Sequence, residues 1–320
     1  SLTSPANQSG FTVGDSTTLS ATASDDGAID TVRFYAGDRL LAEDRVPPYE
    51  FQWNQLPPGI HDLNARATDN LGFVTRSNTR TITVSPPPGI GGLFFDGEDD
   101  HVVFPADPSL NLSKFTIECW FRVEEGSTGT DAGGITAIPL IARGRDESET
   151  GCNYFLGIDS SSGRLTADFK GSDTGEDQTL IGTKVVPKGT WQHAAATFDG
   201  SSSKLYLNGN LENSAETYGE APLTSGTQRL SLGTALNTAG NPGGRLLGTM
   251  DEVRIWNRAR TPQEIRTGLN QQITTESGLI VRCGMNESSG TTVQNSGSAS
   301  VTGTLVNGVF RTAGAPFDLD

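Results

Sequence analysis

Apolar side chains recur at every second position in short runs along most of the chain. Up to residue 85 the runs are Leu19/Ala21/Ala23, Val32/Phe34, Tyr49/Phe51/Trp53, Leu63/Ala65/Ala67 and Ile82/Val84. Successive side chains of a strand point to opposite faces, so each run predicts a strand with one buried face. Spacing of roughly 8–12 residues between runs is that of a β-sandwich. Ala36-Gly37-Asp38 predicts a hairpin turn, and Pro57-Pro58-Gly59 turns the chain between the Trp53 and Leu63 runs. No helix is needed in a stretch of this size, which is that of an immunoglobulin domain.

The pattern then breaks at Ser85-Pro86-Pro87-Pro88-Gly89-Ile90-Gly91-Gly92, where prolines stiffen and glycines loosen the backbone. This predicts a domain at 1–85, a linker at 86–92 and a second domain at 93–320. Alternation resumes at Phe115/Ile117/Cys119/Phe121/Val123, Tyr154/Leu156/Ile158, Leu165/Ala167/Phe169, Leu205/Leu207 and Leu230/Leu232. Asn208-Gly209 is a type I′ hairpin signal, and Ser162-Gly163 stands similarly between two runs. A single helix is expected from Thr261-Pro262-Gln263-Glu264. Threonine takes the N-cap, proline the first turn, glutamate closes a capping box, and Ile265 and Leu269 form the apolar face. One short helix after a dozen strands predicts an all-β protein: a sandwich of immunoglobulin size, then a large jelly-roll-like sandwich with the helix at one edge.

Charge removes several classes of function. The 320 residues carry 38 acidic and 23 basic side chains, a net charge of −15. Lys114, Lys170, Lys184, Lys188 and Lys204 are scattered, so no basic stripe exists to neutralise a phosphate backbone, and nucleic acid is an unsuitable partner. The same charge disfavours anionic membrane surfaces, and no run of about 18 apolar residues predicts a membrane span. Ser1-Leu2-Thr3-Ser4-Pro5 has no signal-peptide pattern, so the expectation is a monomeric fragment of a larger protein. Cys119, Cys152 and Cys283 allow three alternative single disulfides with one thiol left over. With only His61, His101 and His193, and no Cys-x-x-Cys, no zinc site fits.

Ser4-Pro5-Ala6-Asn7, Ala21-Thr22-Ala23-Ser24-Asp25-Asp26-Gly27, Val32-Arg33-Phe34-Tyr35, Pro48-Tyr49-Glu50-Phe51-Gln52-Trp53 and Ala65-Arg66-Ala67-Thr68-Asp69-Asn70-Leu71-Gly72 together resemble bacterial immunoglobulin-like domains. Residues 91–320 resemble laminin-G-like, concanavalin-A-like domains related to pentraxins. The motifs, in the family's order, are Leu93 to Val102, Phe115 to Phe121, Gly189 to Ala195 with Phe198-Asp199-Gly200, Leu205 to Gly209, Gly248 to Arg258, and Gly303-Thr304-Leu305. Val281-Arg282-Cys283 departs from the family's aromatic pair, and Asn286 or Asn295 stands where an aspartate is usual. These resemblances imply an extracellular or cell-surface bacterial protein. They also imply a binding module that is not an enzyme and recognises an extracellular glycan or glycoprotein.

The resemblance further suggests a structural Ca2+ held by Asp96, Gly97, Asp99, Asp100 and Asp251, because the first and last strands of such sandwiches lie side by side. Calcium takes about six to eight oxygens, and an Asp-Gly turn offers carboxylates and carbonyls together. The plainer alternative is a simple turn at Asp96-Gly97 and a satisfied carboxylate at Asp251. Asp25-Asp26 with Asp69, Asp146-Glu147-Ser148-Glu149, and Asp173 to Asp177 lack calcium-loop spacing and read as solvated loops. Trp120 and Trp256 fall out of phase with the buried faces of their runs. They are the candidate ligand-binding rings, against the alternative that Trp256 packs under the helix. No paired carboxylates of the Glu-x-Asp-x-x-Glu kind and no Gly-x-Ser-x-Gly elbow occur, and His193 reads as a core or hydrogen-bonding histidine. The competing functions are a polysaccharide hydrolase or lyase on the same sandwich, a protein-binding adhesin, and a pure spacer.

Overall fold

The computed structural model describes residues 1–315 except 13–14, 55, 57–58, 86–90, 133, 146–151, 218 and 226, and not the side chains of 59, 60 and 85. The Pro57-Pro58-Gly59 turn, most of the proline-glycine linker and the Asp146–Glu149 run therefore lie outside the described residues. The chain divides into two compact units, Ser1–Pro87 and Pro88–Asp320.

Nine strands build the first unit: β1 (Leu2–Ser4), β2 (Ser9–Thr12), β3 (Thr17–Ala21), β4 (Ile29–Ala36), β5 (Arg39–Asp44), β6 (Tyr49–Trp53), β7 (Gly59–Asp69), β8 (Val74–Arg76) and β9 (Arg80–Ser85). One sheet has the order β1-β3-β6. The other runs β2-β9-β7-β4-β5, with β8 added beside the far half of β7. Leu19, Val32, Phe34, Leu63 and Ile82, all from the alternating runs, are buried between them. Gly37, at φ +57°, turns β4 into β5 where the hairpin is expected.

The second unit holds β10 (Gly91–Asp96), β11 (His101–Val103), β12 (Phe115–Val123), β13 (Thr130–Asp131), β14 (Thr136–Arg143), β15 (Tyr154–Asp159), β16 (Arg164–Asp168), β17 (Leu180–Val185), β18 (Gln192–Phe198), β19 (Ser202–Leu207) and β20 (Asn210–Glu216). It continues with β21 (Leu230–Leu232), β22 (Ala235–Leu236), β23 (Pro242–Gly243), β24 (Leu247–Trp256), α1 (Pro262–Gly268), β25 (Leu279–Cys283), β26 (Thr292–Val293), β27 (Gly303–Val306) and β28 (Phe310–Ala313). One sheet has the order β20-β19-β18-β12-β24-β10-β28, with β25 also on β24. The facing sheet runs β17-β16-β15-β14-β21-β11-β27-β26, with β13 on β14. Every pairing in the two sheets is antiparallel, and one large apolar core lies between them. Both strands nearest the chain ends of this unit, β10 and β28, pair with each other, which closes the sandwich.

The Asn208-Gly209 turn has both residues at positive φ, 50° and 72°, as a type I′ hairpin requires. Helix α1 has its capping box in place: the Thr261 hydroxyl accepts from the Glu264 N–H at 3.2 Å, and the Glu264 carboxylate accepts from the Thr261 N–H at 2.6 Å. Ile265 packs on Ala195 of β18 and Tyr206 of β19, and α1 also touches the edge strand β20, so the helix lies on the outer face of the sheet that holds these strands, toward its β20 edge. Cys119, Cys152 and Cys283 are buried and joined by no disulfide.

Candidate functional site

Strand β10 ends at Asp96, and Gly97 turns the chain. Its φ is +79°, and a Cβ there would sit 2.8 Å from the Leu247 Cβ, so both backbone and packing call for glycine. The turn brings a carboxylate oxygen of Asp96, Asp99 and Asp100 within 4.8 Å of one another. Its hydrogen bonds fix it to itself and to the β27–β28 hairpin. Asp96 Oδ1 accepts from the Glu98 N–H at 2.8 Å, Asp100 Oδ2 from the Asp96 N–H at 3.1 Å, and Asp100 Oδ1 from the Gly308 N–H at 2.5 Å. Asn307 donates to the Asp99 carbonyl at 2.9 Å. Burial, and then the negative charge of Asp96, push the Asp100 carboxyl up to about 6. This all-oxygen, charge-crowded donor set is the chemistry a hard divalent cation takes.

Asp251 does not join it. Strands β10 and β24 are indeed neighbours, but Asp96 is opposite Leu247, four residues before Asp251, which is about 13 Å along the strand. The Asp251 carboxylate instead accepts from the N–H of Ala315 at 2.8 Å and of Glu252 at 2.6 Å. It anchors the end of the described chain and the bulge at which Glu252 takes φ +45°.

Neither candidate ring is an open platform. Trp256 is wholly buried, with Arg260 stacked 4.5 Å from its ring centroid and its indole N–H donating to Glu118 at 3.3 Å. Trp120 donates to the Leu269 carbonyl at 2.7 Å, just past α1. Both rings do point away from the inter-sheet core, as their phase predicts, but α1 and the segment after it occupy that side.

The same cover buries a group of charges that sequence reasoning missed. On the outer face, Glu118 of β12 meets Arg254 of β24 at 3.2 Å and Arg260 at 2.8 Å, while the His193 ring of β18 lies 3.9 Å from it. Beside them Arg282 of β25 pairs with Glu252, itself 3.8 Å from Arg254. Arg282, which replaces an aromatic of the family pattern, thus supplies charge to an acid under α1, and Asn295 accepts from its backbone N–H at 2.8 Å. Arg254 also donates to the carbonyls of Gly268 and Gln271, and Arg260 to that of Glu264. Two arginines and a tryptophan therefore satisfy the carbonyl end of a seven-residue helix too short to persist alone. The signal was available: Glu118 and Trp120 share the outer phase of β12, and Arg254, opposite Glu118 on β24, carries the matching opposite charge.

Burial would raise the Glu118 carboxyl, but Arg254, His193 and Arg260 hold it below the ordinary carboxylate range. Burial pushes His193 down to about 4, against the opposing pull of Glu118. An unfolded chain takes up the histidine proton near pH 6.5, whereas the folded one refuses it until about pH 4. Stability from this group is therefore complete above pH 6.5 and is lost as pH falls toward 4, by about 3 kcal/mol. Urea unfolding of the wild type and His193→Gln across that range is expected to show a steeper loss toward pH 4 in the wild type, since the variant lacks the histidine contribution; identical slopes would contradict it.

The remaining acidic candidates have other duties. Asp69 caps its own turn, accepting from the N–H of Leu71 and Phe73, and Asp177 pairs with Lys170 at 2.9 Å. Among the described residues no helix is long and apolar enough to cross a membrane.

Closed antiparallel sheets with a capped outer helix define a concanavalin-A-like sandwich, and comparison with known proteins agrees. The laminin G model of the concanavalin A-like lectin/glucanases superfamily matches residues 96–266, and a bacterial Ig domain model matches residues 1–84. The chain belongs to that superfamily, with a bacterial Ig domain ahead of it. Human pappalysin-1 is 30% identical over 192 residues, which cover 58% of this chain and 11% of that protein. Mouse pappalysin-1 is 28% identical over 199 residues, 56% of this chain and again 11% of the relative. The chain thus corresponds to about a tenth of these relatives' length. A crystal structure of a candidate carbohydrate-binding protein from Bacteroides ovatus superposes with a TM-score of 0.53 at 17% identity, covering 98% of both chains. At that identity it shows a shared fold.

Proposed function

We propose that the chain is a non-catalytic, extracellular glycan-binding module whose laminin-G-like unit carries a structural calcium ion. The observation that carries this reading is the correspondence along nearly the whole chain, both units included, with a candidate carbohydrate-binding protein. The fate of the acids supports it. Glu118, Asp251 and Glu252, the carboxylates of the β12–β24 face, are buried in ion pairs and backbone hydrogen bonds. A glycosidase needs two carboxyl groups about 5–9 Å apart on either side of a bond they can reach.

Asp96, Asp99 and Asp100 would hold the ion, with backbone carbonyls of the turn completing its oxygen shell. Its charge would offset the crowding that raises the Asp100 carboxyl and would tie β10 to the β27–β28 hairpin. Electrophoresis through gels containing soluble polysaccharides tests the function. Retardation with no new reducing ends or unsaturated products is expected, whereas product release would establish the hydrolase or lyase alternative.

A further inference from the structure

A cleft lies in the immunoglobulin-like unit. It has a volume of about 820 Å3 and opens between the edge strands β1 and β8. Four alanines, Ala21 at the end of β3, Ala23 just past it, and Ala65 and Ala67 of β7, contribute small apolar side chains to its lining. Its rim is hydrogen-bonding: eleven of the nineteen lining residues carry polar side chains. Arg76 and Asn78 stand there with side chains engaged by no ion pair or hydrogen bond, and Asp25 and Asp69 offer carboxylates opposite.

A second observation marks the same place. The β7–β8 hairpin exposes Leu71 (77%), Phe73 (71%) and Val74 (60%) together, and Phe73 also lines the cleft. Large apolar side chains clustered in the open mark a binding surface. An apolar ring and small aliphatic side chains, edged by carboxylate, amide, guanidinium and hydroxyl groups, suit a ligand with C–H faces and a periphery of hydroxyls. A peptide strand added to β8 would call for deep pockets for alternate side chains, which alanines do not provide.

Resting on the glycan-binding reading above, we infer that the immunoglobulin-like unit is itself a glycan site, with Phe73 as the stacking ring and Arg76, Asn78, Asp25 and Asp69 as the hydroxyl-binding groups. The chain then meets its target through the immunoglobulin-like unit.

The test is amide NMR of the full 15N-labelled chain titrated with cellohexaose, xylohexaose, laminarihexaose and chitohexaose, and separately with an alternating Thr-Val octapeptide. A hexasaccharide is expected to shift amides of residues 21–25 and 65–78, and Phe73→Ala to weaken that binding at least tenfold while the melting temperature stays unchanged. Val46→Ser, at another exposed apolar position of this unit, leaves it intact. Shifts confined to residues 91–315 would overturn the cleft assignment and leave glycan binding standing. No shift with any hexasaccharide would overturn both. Shifts at the cleft with the peptide alone would replace the glycan by a peptide strand.

Discussion

Arg254→Met is expected to destabilise the protein by about 3–5 kcal/mol, the cost of leaving a buried acid without its partner. The arginine is fully buried between Glu118 and Glu252, and it also donates to the carbonyls of Gly268, the last residue of α1, and of Gln271 past it. Removing it leaves Glu118 with Arg260 and the Trp256 N–H and strips the Gly268 and Gln271 carbonyls of this donor. For a unit of this length the melting temperature should fall by roughly 6–20 °C. The double change Glu118→Met/Arg254→Met should cost clearly less than the two single changes summed, because each single change strands the other's buried charge, although Arg260 then also lacks its carboxylate. Calorimetry of the two single variants and the double variant checks this. Additive losses, or a single-variant loss under 1 kcal/mol, would show that the charges beneath α1 are not coupled.

The second large effect concerns the acidic turn. Asp100 has a folded-state carboxyl raised to about 6, above the value of an unfolded aspartate, so the folded protein binds the proton first as pH falls. The sign is opposite to that of His193: without a cation, this group adds stability as pH drops through 6 and withholds it at neutral pH. A calcium ion competes for the same oxygens, so its affinity should be full above pH 6 and decline below it. At neutral pH, calcium at 100 times its Kd should contribute about 2.7 kcal/mol, raising the melting temperature by about 5–10 °C. Asp100→Asn should weaken calcium binding at least tenfold, read by isothermal titration. An unchanged melting temperature in millimolar calcium would remove the ion from the account.

Much of the fold is legible in the alternation because each core strand buries one face: Ile117, Cys119 and Phe121 alternate with Glu118 and Trp120, and the inner set forms the core. Strands β1, β2 and β8 carry three or four residues with little alternation, and their pairing depends on partners far along the chain. The outer face of β12 and β24 was readable as a face but not as an interior, since nothing in those strands announces that α1 and the segment after it cover them. Register was equally hidden. Kinship implied that β10 and β24 adjoin, yet which residues stand opposite is set by a register that pairs Phe95 with Gly248 and Asp96 with Leu247, and so Asp251 falls out of reach of Asp96.

A glycan microarray probed with the full chain in millimolar calcium, its fold verified by circular dichroism, tests the central claim most directly. The account predicts retention on a chemically related set of glycans, left uncleaved and reduced when calcium is chelated. A blank array from folded, calcium-loaded protein would contradict it.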